Sequence, residues 1–412
     1  MGIKIILEKE LVAISLSQKE VLDLQRIAKE FIKQLASKKI KAYVGGSLAK
    51  GTVIKKPGKQ DIDIFVVFDS NEGIRRFEKV LKMIKLPGQL KKVHGSRDYF
   101  QIICENILLE LVPVMKNKNP ELAENVTDVS LSHVKYIGEI VKKNPKISDE
   151  IKLAKAFCWA NRCYGAEGYV RGFSGYSLEV LVIYFGSFVK FLKGISRKRV
   201  IDPLKYFKNE REVLNELNTS KLTGPVILID PTYRYRNVTA GLGEETFEKF
   251  NIVAKKFLKS PSLNFFEWQS IDIRGLKRFA DKKKVTFLEI NLKTNRQEGD
   301  IAGTKMKKFL DFFVSELGRR QQKVLVKEFD YLGEGDKAKG YVVVEEKKEI
   351  EIRGPSVGLV NIVKNFRKAN GKNSFKKNGY WWVKKETSIQ DIFRLVKKVE
   401  KEMGISARLN NF

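Results

Sequence analysis

The sequence predicts an α+β protein of several domains, and three observations carry that reading. Near the start, an apolar run (Ala42-Tyr43-Val44) enters a Gly45-Gly46-Ser47 turn, and a strongly β-like segment containing Asp61 and Asp63 follows. The middle of the chain turns helical. The last third alternates strand and helix signals again. At 412 residues the chain is long enough for roughly two or three domains with sizeable cores. The expected bounds are 1–125 for an α/β unit, 126–260 for a helical unit and 261–412 for one or two small α+β domains, with Pro261 marking the second break.

Each element has its own signal. Ser17-Gln18-Lys19-Glu20 is a capping box before an apolar stripe (Val21, Leu24, Ala28, Phe31, Leu35), which predicts a first helix packed on the sheet. A strand is expected at 41–45, a helix over 73–85 that stops before Pro87, and strands at 99–105 and 107–114. The helical part is expected to hold helices at 149–164, 177–193 and 247–258, with a strand at 225–230. Further strands read at 284–292, 322–330, 341–346 and 380–384, and helices near 302–317, 357–369 and 387–402.

Alternate residues of a strand share a face, so Asp61 and Asp63 point the same way, with Cα atoms about 6–7 Å apart. Ile62, Ile64 and Val66 then point into a core. A lone Asp-x-Asp is more often a solvated strand edge, but following a Gly-Ser turn it reads as a pair of oxygen ligands for divalent cations. Glycine in that turn lets the backbone approach a ligand, and Ser47 is expected to cap a short helix beside a phosphate. Glu110 lies within Ile107-Leu108-Leu109-Glu110-Leu111-Val112, where a charge is costly unless paired or metal-bound. It is therefore the candidate third carboxylate; a salt bridge to a lysine is the plainer reading.

These residues resemble the nucleotidyltransferase superfamily of DNA polymerase β type. Four further stretches narrow the resemblance to the archaeal, class I CCA-adding enzymes: Gly165 through Tyr176 (with Val170-Arg171-Gly172-Phe173-Ser174-Gly175-Tyr176), Asp230-Pro231, Arg236-Asn237-Val238, and Arg353-Gly354-Pro355. The resemblance covers nearly the whole chain. It implies a polymerase β-like catalytic head, a helical nucleotide-recognition neck, and C-terminal tRNA-binding body and tail domains. The position after Gly46-Ser47 is often aromatic in the family and is Leu48 here; the basic residue is commonly Arg and is Lys50; the first carboxylate is often Glu and is Asp61; the third is usually Asp and is Glu110.

The implied activity is template-independent addition of CCA to the 3′ end of tRNA from CTP and ATP. Asp61, Asp63 and Glu110 would hold two Mg²⁺ ions and form the catalytic trio. Gly46, Ser47, Lys50, His133, Lys155, Tyr164 and Arg236 would bind the nucleotide. Taken alone, His133 is more often structural, and Lys155 in its apolar helix would be served equally by a phosphate or by an intrachain salt bridge. Tyr164 lies about half a turn out of phase with Lys155, so their joint role rests on the resemblance. The residues themselves do not choose between Arg234 and Arg236; the motif selects Arg236. A poly(A) polymerase-like RNA nucleotidyltransferase and a non-catalytic RNA-binding protein on the same fold are the competing readings.

Composition agrees with a nucleic-acid partner. Lysine plus arginine number 79 against 49 acidic residues, a formal net charge of +30 that attracts polyanions, although a general lysine bias would contribute to it as well. Phe375, Tyr380, Trp381 and Trp382 stand among Lys372, Lys376, Lys377, Lys384 and Lys385, a mixture suited to base stacking and phosphate contact, while strand alternation sends about half of these aromatics inward. Cys104, Cys158 and Cys163 follow no zinc spacing and read as buried free thiols of a cytoplasmic protein. No signal peptide is expected. Charges at Glu179, Lys190 and Lys193 make the apolar run Leu178–Ile195 a core helix rather than a membrane span. A homodimer is compatible with the sequence.

Overall fold

A computed structural model describes residues 2–56, 58–94, 97–116, 126–295 and 297–411. The expected boundary at 125 lies outside the described residues. The chain divides into two compact units, residues 1–166 with 170–269, and residues 167–169 with 270–412.

The first unit opens with a helix, Ile3–Ile14, that the sequence reading did not contain; its side chains Ile6 and Ile14 join the core of the helical part. The capping box then forms as expected, with Ser17 and Glu20 exchanging hydrogen bonds at the start of helix Gln18–Ser37. A five-stranded sheet follows in the spatial order Lys41–Val44, Gln60–Phe68, Ile107–Met115, Tyr99–Ile103, Gln89–Val93. Gln60–Phe68 and Ile107–Met115 run parallel, and the other neighbours are antiparallel. The edge strand Gln89–Val93 is mostly polar and exposed, which hid it from periodicity. Helices Gln18–Ser37 and Asn71–Leu81 bury Leu24, Phe31, Phe77 and Leu81 against Ile62, Ile64, Leu109 and Leu111. That packing fills one face of the central strands and leaves the other to the carboxylates.

The helical part of this unit is built on Lys146–Ala160, buried at ten of its positions, among them Ile151, Leu153, Phe157 and Cys158. Phe157, Phe173, Phe188, Phe191, Phe250 and Phe257 pack edge-on or tilted around it. The single helix expected over 177–193 is two, Gly175–Phe185 and Phe188–Gly194. Gly186, at φ +80°, ends the first, and the Ser187 hydroxyl caps the second through the Lys190 N–H. Among the described residues no helix is long and apolar enough to cross a membrane. A three-stranded sheet of Val200–Ile201, Ile227–Asp230 and Tyr233–Asn237 completes the unit. Cys158 and Cys163 are buried and Cys104 is half-buried, all as free thiols.

The second unit holds a four-stranded antiparallel sheet ordered Lys323–Asp330, Lys337–Glu345, Thr286–Thr294, Ile405–Asn411. Helices Gly299–Arg319 and Ile389–Lys397 cover one face, while Ala280 of helix Ile273–Lys283 packs on the other against Phe287 and Tyr341. A smaller sheet orders Glu349–Ser356, Tyr380–Glu386, Ser374–Lys377. There Trp381 is buried and Tyr380 exposed, the alternation the sequence implied. Arg353 lies 4.7 Å from the Tyr380 ring centre, and Arg367 lies 4.8 Å from that of Trp381.

Candidate active site

Strand register assembles the carboxylates. Asp63 pairs directly with Glu110 across the two parallel strands, and Asp61 stands two residues earlier on the same face. Their neighbours Ile62, Ile64, Leu109 and Leu111 are fully buried on the opposite face, which fixes the direction of all three acids. Burial and then the charge of Asp61 raise the Asp63 carboxyl above its usual range. Burial and then Asp63 push Glu110 up to about 7. Lys56 pairs with Asp61, and Gln101 donates to Glu110 Oε1 at 2.7 Å. Among the described residues no three His, Cys, Asp or Glu side chains are gathered as a ready cation cage. The donor set is all oxygen and carries excess negative charge, which fits a hard divalent cation.

The Gly45-Gly46 turn presses on this face. Gly46 has φ +55°, and a Cβ there would lie 1.6 Å from Asp63 Oδ2. Only glycine lets the turn approach the carboxylate so closely. The short helix Gly46–Lys50 follows, with Gly45 at its cap position and no side-chain cap. Ser47 therefore sits within the first turn rather than capping it, a correction to the expectation. Glycine ahead of it leaves the backbone carbonyl of Gly45 to start the helix, accepting from the Ala49 N–H at 3.1 Å.

Lys50 and Lys155 meet at one fully buried carboxylate. Lys50 Nζ donates to Glu179 Oε2 at 2.6 Å, and Lys155 Nζ donates to Glu179 Oε1 at 2.7 Å. The Thr52 hydroxyl donates to Oε1 at 2.7 Å and accepts from Lys155 at 2.9 Å. Burial alone would raise Glu179, but Lys155 and Lys50 bring it down to about 2. Burial lowers Lys155 to about 8 against the pull of Glu179. The plainer sequence reading of Lys155, an intrachain ion pair, is thus present. The cluster still holds two cations to one anion, a surplus that suits phosphate.

His133 and Arg236 meet at a second buried carboxylate. His133 Nε2 lies 2.9 Å from Asp230 Oδ2, and Arg236 Nη1 donates to the same oxygen at 2.8 Å. Tyr176 and the Thr232 hydroxyl donate to Oδ1 at 2.9 and 2.8 Å. Burial would raise Asp230, yet His133 and Arg236 hold it well below the usual carboxylate range. Burial keeps the His133 imidazole below its ordinary value. Its ring stacks on Tyr176 at 3.8 Å, and Lys50 and Arg236 each stand 6.0 Å from the Tyr176 ring centre. Tyr164 follows helix Lys146–Ala160 rather than ending it as expected. The turn after the helix removes the phase problem: a Cβ at Gly175 would lie 2.8 Å from Tyr164 Oη and 3.9 Å from Lys155 Cε.

The sequence reading missed Thr52, Tyr176, Glu179 and Asp230 as members of the site. Glu179 carried a signal, a charge inside an apolar helix, which had served only against a membrane span. Asp230 and Tyr176 stood inside quoted motifs without a role.

Comparison with known proteins agrees with this arrangement. Residues 25–121 match a nucleotidyltransferase domain family, and residues 149–267 match the second domain of tRNA nucleotidyltransferases. The CCA-adding enzyme of Nanoarchaeum equitans is 35% identical over 382 residues, covering 90% of this chain and 89% of that protein. That of Thermococcus kodakarensis is 34% identical over 257 residues, 59% of this chain and 54% of that protein. Among solved structures, a cytoplasmic RNA terminal U-transferase superposes with a TM-score of 0.51 at 13% identity, covering 64% of this chain and 98% of that one. The Cid1 poly(U) polymerase bound to MgATP gives 0.50 at 12% identity, covering 64% and 98%. These two likenesses speak for the fold. With a relative matched along nine-tenths of the chain, and with carboxylates, turn and basic clusters placed on a polymerase β-like scaffold, the chain belongs to the archaeal CCA-adding enzymes, the tRNA nucleotidyltransferases of that superfamily.

Proposed function

We propose that the chain performs its family's reaction, adding CCA to the tRNA 3′ end from CTP and ATP and releasing pyrophosphate, with residues divided as follows. Asp61, Asp63 and Glu110 hold Mg²⁺, two ions in all. Bound there, the metal supplies Lewis acidity to the 3′-hydroxyl and the leaving pyrophosphate. Asp61, paired with Lys56 here, would have to release it to join its neighbours on the metal. Gly46 keeps the turn close to Asp63. Ser47, Lys50, Lys155 and Tyr164 bind the triphosphate; His133 and Arg236, steadied by Asp230, line the rest of the nucleotide site.

The chain works as three domains divided at 125 and 260, with the aromatic and basic strands of the C-terminal part contacting tRNA through its backbone and exposed bases. Free thiols suit a reducing cytoplasm.

The observation that carries the assignment is the in-register pair Asp63 and Glu110 beside the Gly46 turn. The test is incorporation of labelled CTP and ATP, separately and together, into tRNA lacking its 3′ end, with Mg²⁺. Two C residues followed by one A is the expected product. ATP addition to arbitrary RNA would instead indicate a poly(A)-type enzyme. Binding of tRNA without incorporation would leave a non-catalytic protein.

A further inference from the structure

Glu179 touches no carboxylate of the trio, yet it is wholly buried and both of its oxygens are hydrogen-bonded. One oxygen takes Lys50; the other takes Lys155 and the Thr52 hydroxyl. Lys50 comes from the helix after the glycine turn, Lys155 from Lys146–Ala160, and Glu179 from Gly175–Phe185. A single carboxylate thus ties three elements together through the two cations assigned to the triphosphate.

We infer that Glu179 is a positioning residue for nucleotide binding: it holds the Lys50 and Lys155 ammonium groups side by side and charged in a buried pocket, so that the triphosphate meets them ready to bind. Two ammonium groups that share one carboxylate lie close together and would repel each other without it. Glu179 is the anion hydrogen-bonded to Lys155; Lys50 and Lys56 are the cations that act on it, and Lys155 also acts on the Asp63 carboxylate. The glutamate cancels only one of the two charges and leaves the remainder for the substrate. Thr52 adds direction: its hydroxyl accepts from Lys155 while donating to Glu179, which fixes the lysine's approach. The inference rests on the assignment of Lys50 and Lys155 to the triphosphate.

The experiment is steady-state kinetics of CTP and ATP incorporation into tRNA lacking its 3′ end, on the full chain, for Glu179→Gln, Glu179→Asp, Thr52→Val and Lys155→Met. Glu179→Gln keeps the shape and removes the charge. It is expected to raise KM for both nucleotides by about tenfold, the loss of a charged hydrogen bond, while kcat falls far less. Glu179→Asp, which keeps the charge, should recover most of that loss. Thr52→Val should raise KM by roughly threefold, and it keeps the inference open to test if Glu179→Gln does not fold. A KM unchanged in Glu179→Gln, or in Thr52→Val where that is the variant that folds, overturns the inference, as does a kcat loss equal to the KM rise or a Glu179→Asp no better than Glu179→Gln. Lys155→Met separates the two readings. If its KM is also unchanged, the triphosphate assignment itself fails; if its KM rises while that of Glu179→Gln does not, only the positioning role fails.

Discussion

Two groups of carboxylates sit in the same unit and are treated in opposite ways. Asp61, Asp63 and Glu110 are set together so that burial and mutual repulsion raise Asp63 and Glu110. Glu179 and Asp230 are wholly buried, but cations and hydrogen bonds surround them and keep both low. The first group has one paired cation, Lys56 on Asp61, for three carboxylates, and the lysine pair on Glu179 offers a surplus of positive charge. A metal-bound nucleoside triphosphate, cation and polyanion in one ligand, supplies what each of them is short of. The difference sorts the acids: those with the least compensating charge are the proposed ligands, and the fully compensated ones hold other side chains in place.

The comparison breaks most visibly at Asp63. Asp63→Asn should lower incorporation by roughly 10³-fold or more, since each tenfold is only about 1.4 kcal/mol of transition-state stabilisation and a metal site supplies several times that. Binding of tRNA, followed by gel shift, should hold within about twofold; an equal loss of binding would remove the catalytic reading. Next comes stability, where the two groups should respond with opposite sign. Asp63→Asn relieves repulsion and should raise the metal-free melting temperature. Glu179→Gln strands two buried lysines and should lower stability by about 3 kcal/mol or more, the cost of breaking a buried ion pair from one side. Differential scanning calorimetry without Mg²⁺ decides this, and shifts of the same sign would end the distinction.

Gly46→Ala should cost activity through geometry alone, by about 1–3 kcal/mol of backbone strain together with the collision at Asp63. Normal kcat in that variant would show that the close approach is dispensable. The smallest effect belongs to Glu10, a carboxylate outside both groups, which burial and then Glu267 raise to about 7. Its raised value means that the folded chain binds the extra proton between about pH 4.5 and 7, so stability falls as pH rises through that window. Glu10→Gln should flatten this slope and stabilise the protein above pH 7 by about 1 kcal/mol, read as melting temperature against pH. An unchanged slope would reject the assignment.

The parts of the fold legible in the sequence were those with local signals. The Ser17–Glu20 box, the Asp-x-Asp strand and the apolar run around Glu110 declare themselves within a few residues. Helix Ile3–Ile14 did not, because it has no capping side chain and buries a glutamate in line with Ile6 and Ile14. The break at Gly186 was hidden inside a continuous apolar run, where length alone suggested one helix. The pairing of Lys50 with Glu179 spans 129 residues. No periodicity reports a contact that long, so an apolar helix bearing a glutamate could be seen as unusual but not as a partner. The same holds for Asp230, which collects His133 from 97 residues away.

Tyr176 carries one more consequence. Its ring adjoins both Lys50 and the Asp230 cluster, with the imidazole of His133 stacked on it and the Lys50 and Arg236 cations each 6.0 Å from its centre. On the proposed assignment, the residues that meet the triphosphate and those that line the rest of the nucleotide site share this one ring, so occupying one set is expected to be felt at the other. Energetic effects of replacing Lys50 and Arg236 should not add, and the shortfall measures thermodynamic coupling between the two ends of the bound nucleotide.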